Sequence, residues 1–372
     1  GEIAKAESLF QHVMETRQEQ LGDRHELITD VLSTLGSLYY SQGMLDEAEK
    51  YHRAAAEQAE ETYGERSIRT AIALSNLAHV ESDPAESEAL FNRSLAIRRE
   101  VVGPDHILVA RAEQILARFY AEQGDAERAE PLYRQAIRKV AMSEEQSPTL
   151  AWIQNSFARF LESEERYEEA IAVFRDSHSN FAKQLGGAHR WTLVVHGNLS
   201  TAYHRAGDTG AALKEFEKAI IAARSTETPS GLAIADLHSA FAVVLLDDGD
   251  ATRAESIIRP AIGFYEGDPE LHRASLASAY GRYAEALFLS GKSEDALLAV
   301  NQSLKLGAAG AAEYISYGEF LAGVILASIG DCPGALSMFD DGLISVPLEL
   351  RTATQWNRLQ PLIDAAKLDC AK

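Results

Sequence analysis

The residues of this chain best suited to chemistry are three arginines and three asparagines at helical spacings from other polar residues: Arg111, Arg118 and Arg159, and Asn76, Asn155 and Asn198. A guanidinium fork matches a carboxylate. A side-chain amide offers both a donor and an acceptor, which suits it to gripping the backbone of an extended peptide. Asn is a poor helix-interior residue because its amide competes for backbone bonds, so its recurrence needs a cause. The chemistry indicated is binding. No Gly-x-Gly-x-x-Gly follows a strand, and neither Gly-x-x-x-x-Gly-Lys nor His-Glu-x-x-His occurs. Gly307-Ala308-Ala309-Gly310 is glycine-rich but carries no Lys and falls where a turn belongs. The carboxylate pairs Glu144-Glu145, Glu164-Glu165, Asp247-Asp248 and Asp340-Asp341 sit at or near helix ends, where solvation and capping account for them. A catalytic constellation needs residues converging in a water-excluding pocket. The sequence therefore reads as a non-enzyme with no cofactor and no metal.

The elements that position these residues follow from a repeat. Ala6, Ala48, Ser87, Ala129, Ala170, Ala212, Ala254, Ala296 and Ala335 are separated by 42, 39, 42, 41, 42, 42, 42 and 39 residues. Four residues after each comes a bulkier side chain, as in Phe91, Tyr133, Phe174 and Phe216, with His52 in the same place. Seven after comes a second small residue in eight of nine units. A fixed period of this length marks stacked repeats. Within a unit, apolar residues fall at helical spacing in two blocks split by a turn, as in Leu116, Ala117 and Tyr120, then Gly124, then Ala129. The Gly is a helix stop that takes a positive φ without a Cβ clash. Small residues mark where two antiparallel helices cross closely. Each unit is an αα-hairpin unable to bury its own apolar face, so neighbours must stack.

This pattern resembles the tetratricopeptide repeat, whose small, aromatic and Gly positions match those quoted. The period exceeds that family's usual 34 residues by about eight. With Leu21-Gly22-x-x-His25, Gly103-Pro104-Asp105-His106 and Gly186-Gly187-Ala188-His189 between units, the long period is similar to the kinesin-light-chain type, also found in bacterial signalling proteins. The expected fold is all-α. It is a right-handed superhelical solenoid of antiparallel helix hairpins over residues 1–351, with about eight repeats after a leading half repeat. A capping helix over 352–372 carries Trp356, Leu359, Leu362, Ile363 and Leu368. Repeat 2 is expected to have a first helix about one turn short, since Glu81, Ser82, Asp83 and Pro84 replace its aromatic and Gly. Pro260 falls inside a second helix and predicts a kink; Pro131, nearer a helix start, disturbs less.

In repeats of this kind the first helices line the concave surface. The resemblance places there Ser33, Thr34, Ser37 and Tyr40; Ser75, Asn76 and His79; Arg111, Gln114 and Arg118; Trp152, Asn155 and Arg159; and Asn198, Thr201 and His204. From repeat 6 the equivalent positions turn apolar (Val243, Leu246, Phe288, Val324, Ala327), a surface for a second partner helix or an attached domain. The kinesin-light-chain type uses Asn at such positions on peptide, which implies partner binding by Asn76, His79, Arg111, Gln114, Arg118, Trp152, Asn155, Arg159, Asn198, Thr201 and His204. The ligand would be an acidic segment, with an aromatic anchor against Trp152 or Tyr40. Two alternatives stay open: the asparagines bond neighbouring repeats, or the arginines pair with Glu122 and Glu162. His25, His106 and His189 occupy equivalent turns and are structural, and His178 and His238 are packing residues.

Lys plus Arg number 35 and Asp plus Glu 56, a net charge of −21. That field repels nucleic acid and anionic membrane surfaces. The two cysteines, Cys332 and Cys370, are too few for a disulfide framework and read as reduced thiols of a cytoplasmic protein. The chain starts at Gly1, and Ile3 to Leu21 reads as the second helix of a hairpin without its first. Excision from a longer chain is the expectation, with an upstream effector domain as a further partner. The function expected is a scaffold or adaptor binding an extended peptide. The alternative is a ligand- or peptide-sensing module that controls a catalytic domain.

Overall fold

A computed structural model describes residues 25–41, 43–143, 148–225, 231–307, 312–345 and 354–371, with Leu9, His12, Val13 and Thr16. Among these residues are seventeen α-helices and no strand. Sixteen alternate as first and second members of eight successive pairs: α1 (Glu26–Ser41), α2 (Leu45–Tyr63), α3 (Ile68–Ala78), α4 (Pro84–Val102), α5 (Ile107–Glu122), α6 (Ala126–Met142), α7 (Thr149–Ser163), α8 (Tyr167–Leu185), α9 (Arg190–Arg205), α10 (Thr209–Arg224), α11 (Gly231–Asp247), α12 (Ala251–Tyr265), α13 (Arg273–Leu289), α14 (Ser293–Gly307), α15 (Ala312–Ser328) and α16 (Cys332–Ser345). The seventeenth, α17, runs Thr354–Cys370. The expected leading half repeat, Leu21-Gly22, Glu144-Glu145, Ala308 to Gly310 and the Trp356 side chain lie outside the described residues.

The chain divides into two compact units, Gly1–Phe160 and Leu161–Lys372. In the first, α1 packs on α2, α3 on α4 and α5 on α6, and the hairpins join through α2 with α3 and α4 with α5. In the second, α9 with α10, α11 with α12, α13 with α14 and α15 with α16 form hairpins stacked in the same manner. The repeated small residues explain why. Ala48, Ala129, Ala170, Ala212, Ala254, Ala296 and Ala335 are wholly buried and Ser87 nearly so. Each lets the two backbones of a hairpin approach. The side chain four residues on fills the space beside the crossing; Tyr133, Phe174, Phe216 and Phe339 are among the largest buried groups. In repeat 1 that filler is His52, and a Cβ on Gly36 would sit 2.7 Å from its ring, so the first helix must carry glycine there.

Turns and caps follow from local chemistry. Gly124 closes α5 at φ +74°, a left-handed conformation that costs glycine little. Its counterpart in repeat 4 is Glu165, which holds φ +58° with a side chain attached. Asp125, Asp208 and Asp250 cap the second helices that follow, accepting bonds from the N–H of Arg128, Ala211 and Arg253. His25, His106 and His189 do the same for α1, α5 and α9, each Nδ1 accepting the N–H two residues on. They are structural, as their equivalent positions implied.

The shortened helix of repeat 2 is borne out: α3 has 11 residues where α5 has 16. Pro260, where a kink is expected, lies inside α12, which continues through it from Ala251 to Tyr265. The reading of two reduced thiols is overturned. Cys332 and Cys370 form a disulfide, with Cα atoms 5.2 Å apart, because α17 folds back and brings its last residue to the first residue of α16. No helix of the described residues is long and apolar enough to cross a membrane.

A non-glycine residue in the left-handed region carries a strain of about 1 kcal/mol or more. Glu165→Gly is therefore expected to raise the stability of the chain by roughly that amount, and Gly124→Ala to lower it comparably, as read from urea denaturation midpoints.

Candidate functional site: a polar first-helix face

On the first unit, α3, α5 and α7 bring the predicted residues onto one face. Arg118 Nη2 lies 3.3 Å from His79 Nδ1, which ties α5 to α3. Gln114 Nε2 donates to Ser156 Oγ at 3.2 Å, which ties α5 to α7. Arg118 also pairs with Glu122 one turn on, at 3.5 Å, so the ion-pair alternative holds for this arginine. For Arg159 it does not: Glu162 bridges to Arg205 at 3.3 Å. Arg111 and Arg159 are both exposed, and neither has an ion-pair partner among the described residues. Asn76 and Trp152 are half-buried. Asn155 is only 8% exposed, and both Trp152 and Asn155 are engaged within the protein.

The electrostatics of this face depend on a residue the sequence reading passed over. Arg98, on α4, is 6% exposed. Its Nη2 reaches only the Ala71 carbonyl, at 3.5 Å. Burial, and then the charge of Arg111, push its guanidinium down to about 10. No acid balances it among the described residues. A buried cation without a counter-charge is unusual, because the desolvation is uncompensated. The sequence signal was a lone Arg four residues beyond the small Ser94, where most repeats place a side chain of the packed interior. His79 stacks edge-on against Phe91 with ring centroids 5.0 Å apart. The desolvation this brings, followed by the Arg118 charge, holds its pKa far below the ordinary imidazole value, at about 4.

On the second unit the predicted residues are used internally. Asn198 is half-buried and engaged. Thr201 donates to the Gly197 carbonyl at 3.1 Å. His204 Nε2 meets Asp247 Oδ2 at 2.7 Å. Asp247, read from sequence as a solvated helix end, is instead a buried member of a charged cluster. Arg358 of α17 contacts Asp247 and forms a fork with Glu285, Nε and Nη2 to its two carboxylate oxygens at 2.8 and 2.9 Å. Tyr317 donates to the same carboxylate at 2.5 Å. Burial raises the Glu285 carboxyl to about 7, against the bond from Tyr317 and the charge of Arg282, and lowers the Arg358 guanidinium to about 10. Each charge is expensive alone, which is why they sit together.

Of the apolar positions expected to receive a second partner helix or an attached domain, Phe288, Val324 and Ala327 are met by α17 itself, while Leu246 packs in a separate cluster with Phe216 and Phe241. Leu359, Ile363 and Ala366 enter one core cluster with Leu321 and Val324 of α15, and Phe288 and Ala327 pack on it. Burying Leu359 and Ile363 contributes about 1.5–3 kcal/mol each. Leu368, expected in the cap, is 63% exposed. His238 is buried with both ring nitrogens unpartnered, a packing residue as expected. His178 is not isolated, lying against His196 with ring centroids 4.5 Å apart. Among the described residues no group of His, Cys, Asp and Glu could hold a metal ion.

Stacked hairpins that present a polar first-helix face define a helical-repeat interaction scaffold. The tetratricopeptide repeat model matches residues 1–51, 27–83, 81–139 and 149–225, more than half of the sequence. The chain belongs to the tetratricopeptide repeat family. It is 25% identical over 201 residues to a clustered mitochondria protein homolog of Meyerozyma guilliermondii, a match covering 52% of the chain and 16% of that relative. The chain thus spans well under two thirds of that curated relative. Two solved structures share the fold. BtubC (BKLC) from P. vanneervenii is 17% identical, with 62% of this chain and 92% of that one covered and a TM-score of 0.55. A signal transduction ATPase with numerous domains and a tetratricopeptide repeat sensor, from Pyrococcus horikoshii, is 12% identical, with 93% and 50% covered and a TM-score of 0.62.

Burial lowers the pKa of His52, His79, His178, His204 and His238 below the ordinary 6.5, to about 4 for His79 and His178. In this range the unfolded chain binds protons that the folded chain refuses, so stability is full above about pH 6.5 and is lost as pH falls toward 4. Thermal melts across this window are expected to show the decline, and His238→Leu to flatten it.

Proposed function

We propose that this chain is a non-enzymatic scaffold whose first unit binds an extended acidic segment of a protein partner along α3, α5 and α7. The coarser part, a protein-interaction scaffold, follows from the family. The acidic ligand is our reading, and one observation carries it. In a chain of net charge −21, Arg111 and Arg159 stand exposed on one face without an ion-pair partner among the described residues, with Arg98 buried beside Arg111 and likewise without an acid among them. Arginine in such a chain is readily neutralised; leaving three cations unmatched is economical only where a ligand supplies the anions. Asn76 is placed to bond the ligand backbone, and Gln114 and His79 hold the neighbouring side chains in position. Asn155, being buried, belongs to the support of the face rather than to its surface. Trp152 or Tyr40 offers an aromatic anchor.

The second unit contributes less to this ligand, because His204 and Thr201 are already bonded within the chain. The coverage of Phe288, Val324 and Ala327 by α17 favours the sensing alternative for this part of the molecule, with an effector domain as its readout. The proposed location is the cytoplasm, where a paired thiol of this kind opens and closes rather than persists.

The test uses a fluorescein-labelled peptide of alternating Asp and Glu around a central Trp, titrated at about 50 mM salt. Arg111→Glu combined with Arg159→Glu is expected to weaken binding at least tenfold while helicity by circular dichroism stays unchanged, and binding by the unaltered chain to fall as salt rises. Unchanged affinity in the double variant would refute the acidic ligand.

A further inference from the structure

A helix that merely ended the array would meet the last hairpin and nothing else. α17 does more. Near its start, Arg358 contacts Asp247, the last residue of α11, and forks onto Glu285 of α13. In its middle, Leu359, Ile363 and Ala366 pack with residues of α13 and α15. Its final residue is bonded to the first residue of α16. One helix of 17 residues, about 25 Å long, therefore reaches elements of three successive hairpins. Neighbouring packed helices stand about 8–10 Å apart, so a helix of this length crosses them rather than extending their stack.

The register of the contacts is that of a docked amphipathic helix. Leu359, Ile363 and Ala366 fall at i, i+4 and i+7, while Gln360, Asp364, Lys367 and Asp369 face outward. Opposite them is a surface with a matching order of chemistry: Asp247 and Glu285 for the arginine, then an apolar strip from Phe288 to Val324 and Ala327. The acids are buried, with His204 on Asp247 and Tyr317 on Glu285, and Arg358 of α17 is the group that bridges the two. Pro361 sits inside α17 and removes a backbone bond from it. The helix is thus held by its clasp and its disulfide more than by its own propensity.

We propose that this face of the second unit is a docking surface for an amphipathic helix bearing an arginine, a leucine next to it, and apolar residues four and seven positions after that leucine's place in the register. In the oxidised chain α17 is its occupant. Cys332–Cys370 latches that occupant, and opening the latch exposes the surface to a partner helix of the same chemistry. The step is thiol–disulfide exchange with an external dithiol. The Sγ–Sγ bond breaks, Cys332 and Cys370 each gain one electron and one proton, and the dithiol is oxidised to its own disulfide. With the latch closed, a tethered helix competes at an effective concentration that a free ligand does not match. With it open, α17 is held by one arginine and a short apolar stripe.

This inference concerns the second unit and is independent of the acidic ligand proposed for the first. It is tested on the full chain with a labelled peptide of residues 354–371 added in trans. The oxidised chain is expected not to bind it. The same chain reduced with dithiothreitol, and the Cys332→Ser/Cys370→Ser variant, are expected to bind. Adding Arg358→Glu to that variant weakens the resident helix and is expected to tighten peptide binding by about tenfold, whereas a peptide carrying Arg358→Glu is expected to bind no form. Hydrogen exchange supplies a reading that needs no substitution. On reduction, amides of residues 359–366 are expected to exchange about tenfold faster or more while α13 and α15 remain protected. Equal binding by oxidised and reduced chain, binding by neither, or loss of protection throughout the unit would each overturn the proposal.

Discussion

The structure depends on the close crossing of the two helices in each hairpin. A residue larger than Ala or Ser at that crossing would separate the backbones, and the aromatic four residues on would then have no slot. Ala129 and Tyr133, Ala212 and Phe216, and Ala335 and Phe339 are each buried together for this reason. Once a hairpin is closed in this manner, its remaining apolar face has no cover of its own, and stacking follows. Where the filler changes, the partner helix changes with it: His52 occupies the slot in repeat 1 against Gly36, whose missing Cβ gives the ring its space.

That rigid stacking has an electrostatic consequence. Side chains on equivalent helices of successive hairpins, here the second helices, are brought within reach of one another, so charge can be balanced across repeats or withheld. Arg128 meets Glu88 across 40 residues and Arg253 meets Glu217 across 36. Against this background of pairing, the unmatched Arg98, Arg111 and Arg159 are conspicuous as a positive region on an acidic chain. The second unit resolves its charges in the opposite way, burying Asp247 and Glu285 under Arg358. Buried ion pairs of this kind add little net stability but specify one geometry, here the seating of α17.

The same scaffold therefore presents two chemistries from equivalent positions. Where the first helices carry Asn, Arg and Gln, as at Asn76, Arg111, Gln114 and Arg159, the face is polar and Arg111 and Arg159 are exposed. Where α13 and α15 carry Phe288, Val324 and Ala327, it is covered by a helix from the chain itself. The switch from one to the other requires no change in the hairpin, only in the residues that the crossing leaves outside.

By itself the sequence determined the repeat, the position of the small crossing residues from Ala48 to Ala335, the shortened helix before Pro84 and the structural role of the turn histidines His106 and His189. These are local or periodic features, fixed by steric and hydrogen-bond rules that act within a few residues or recur at each period. Glu165 was legible only as a member of an acidic pair, because nothing in its type announces a positive φ. Only the tertiary structure decided which arginines are free. Glu122 is one turn from Arg118 and takes it, while Glu162 turns to Arg205 and leaves Arg159 alone. It also decided the fate of the carboxyl-terminal helix. Cys332 and Cys370 are 38 residues apart, and Arg358 is 111 residues from Asp247. No periodicity encodes a contact between a repeat and a segment outside it; it arises when the chain folds back and Arg358 reaches buried carboxylates of two different hairpins.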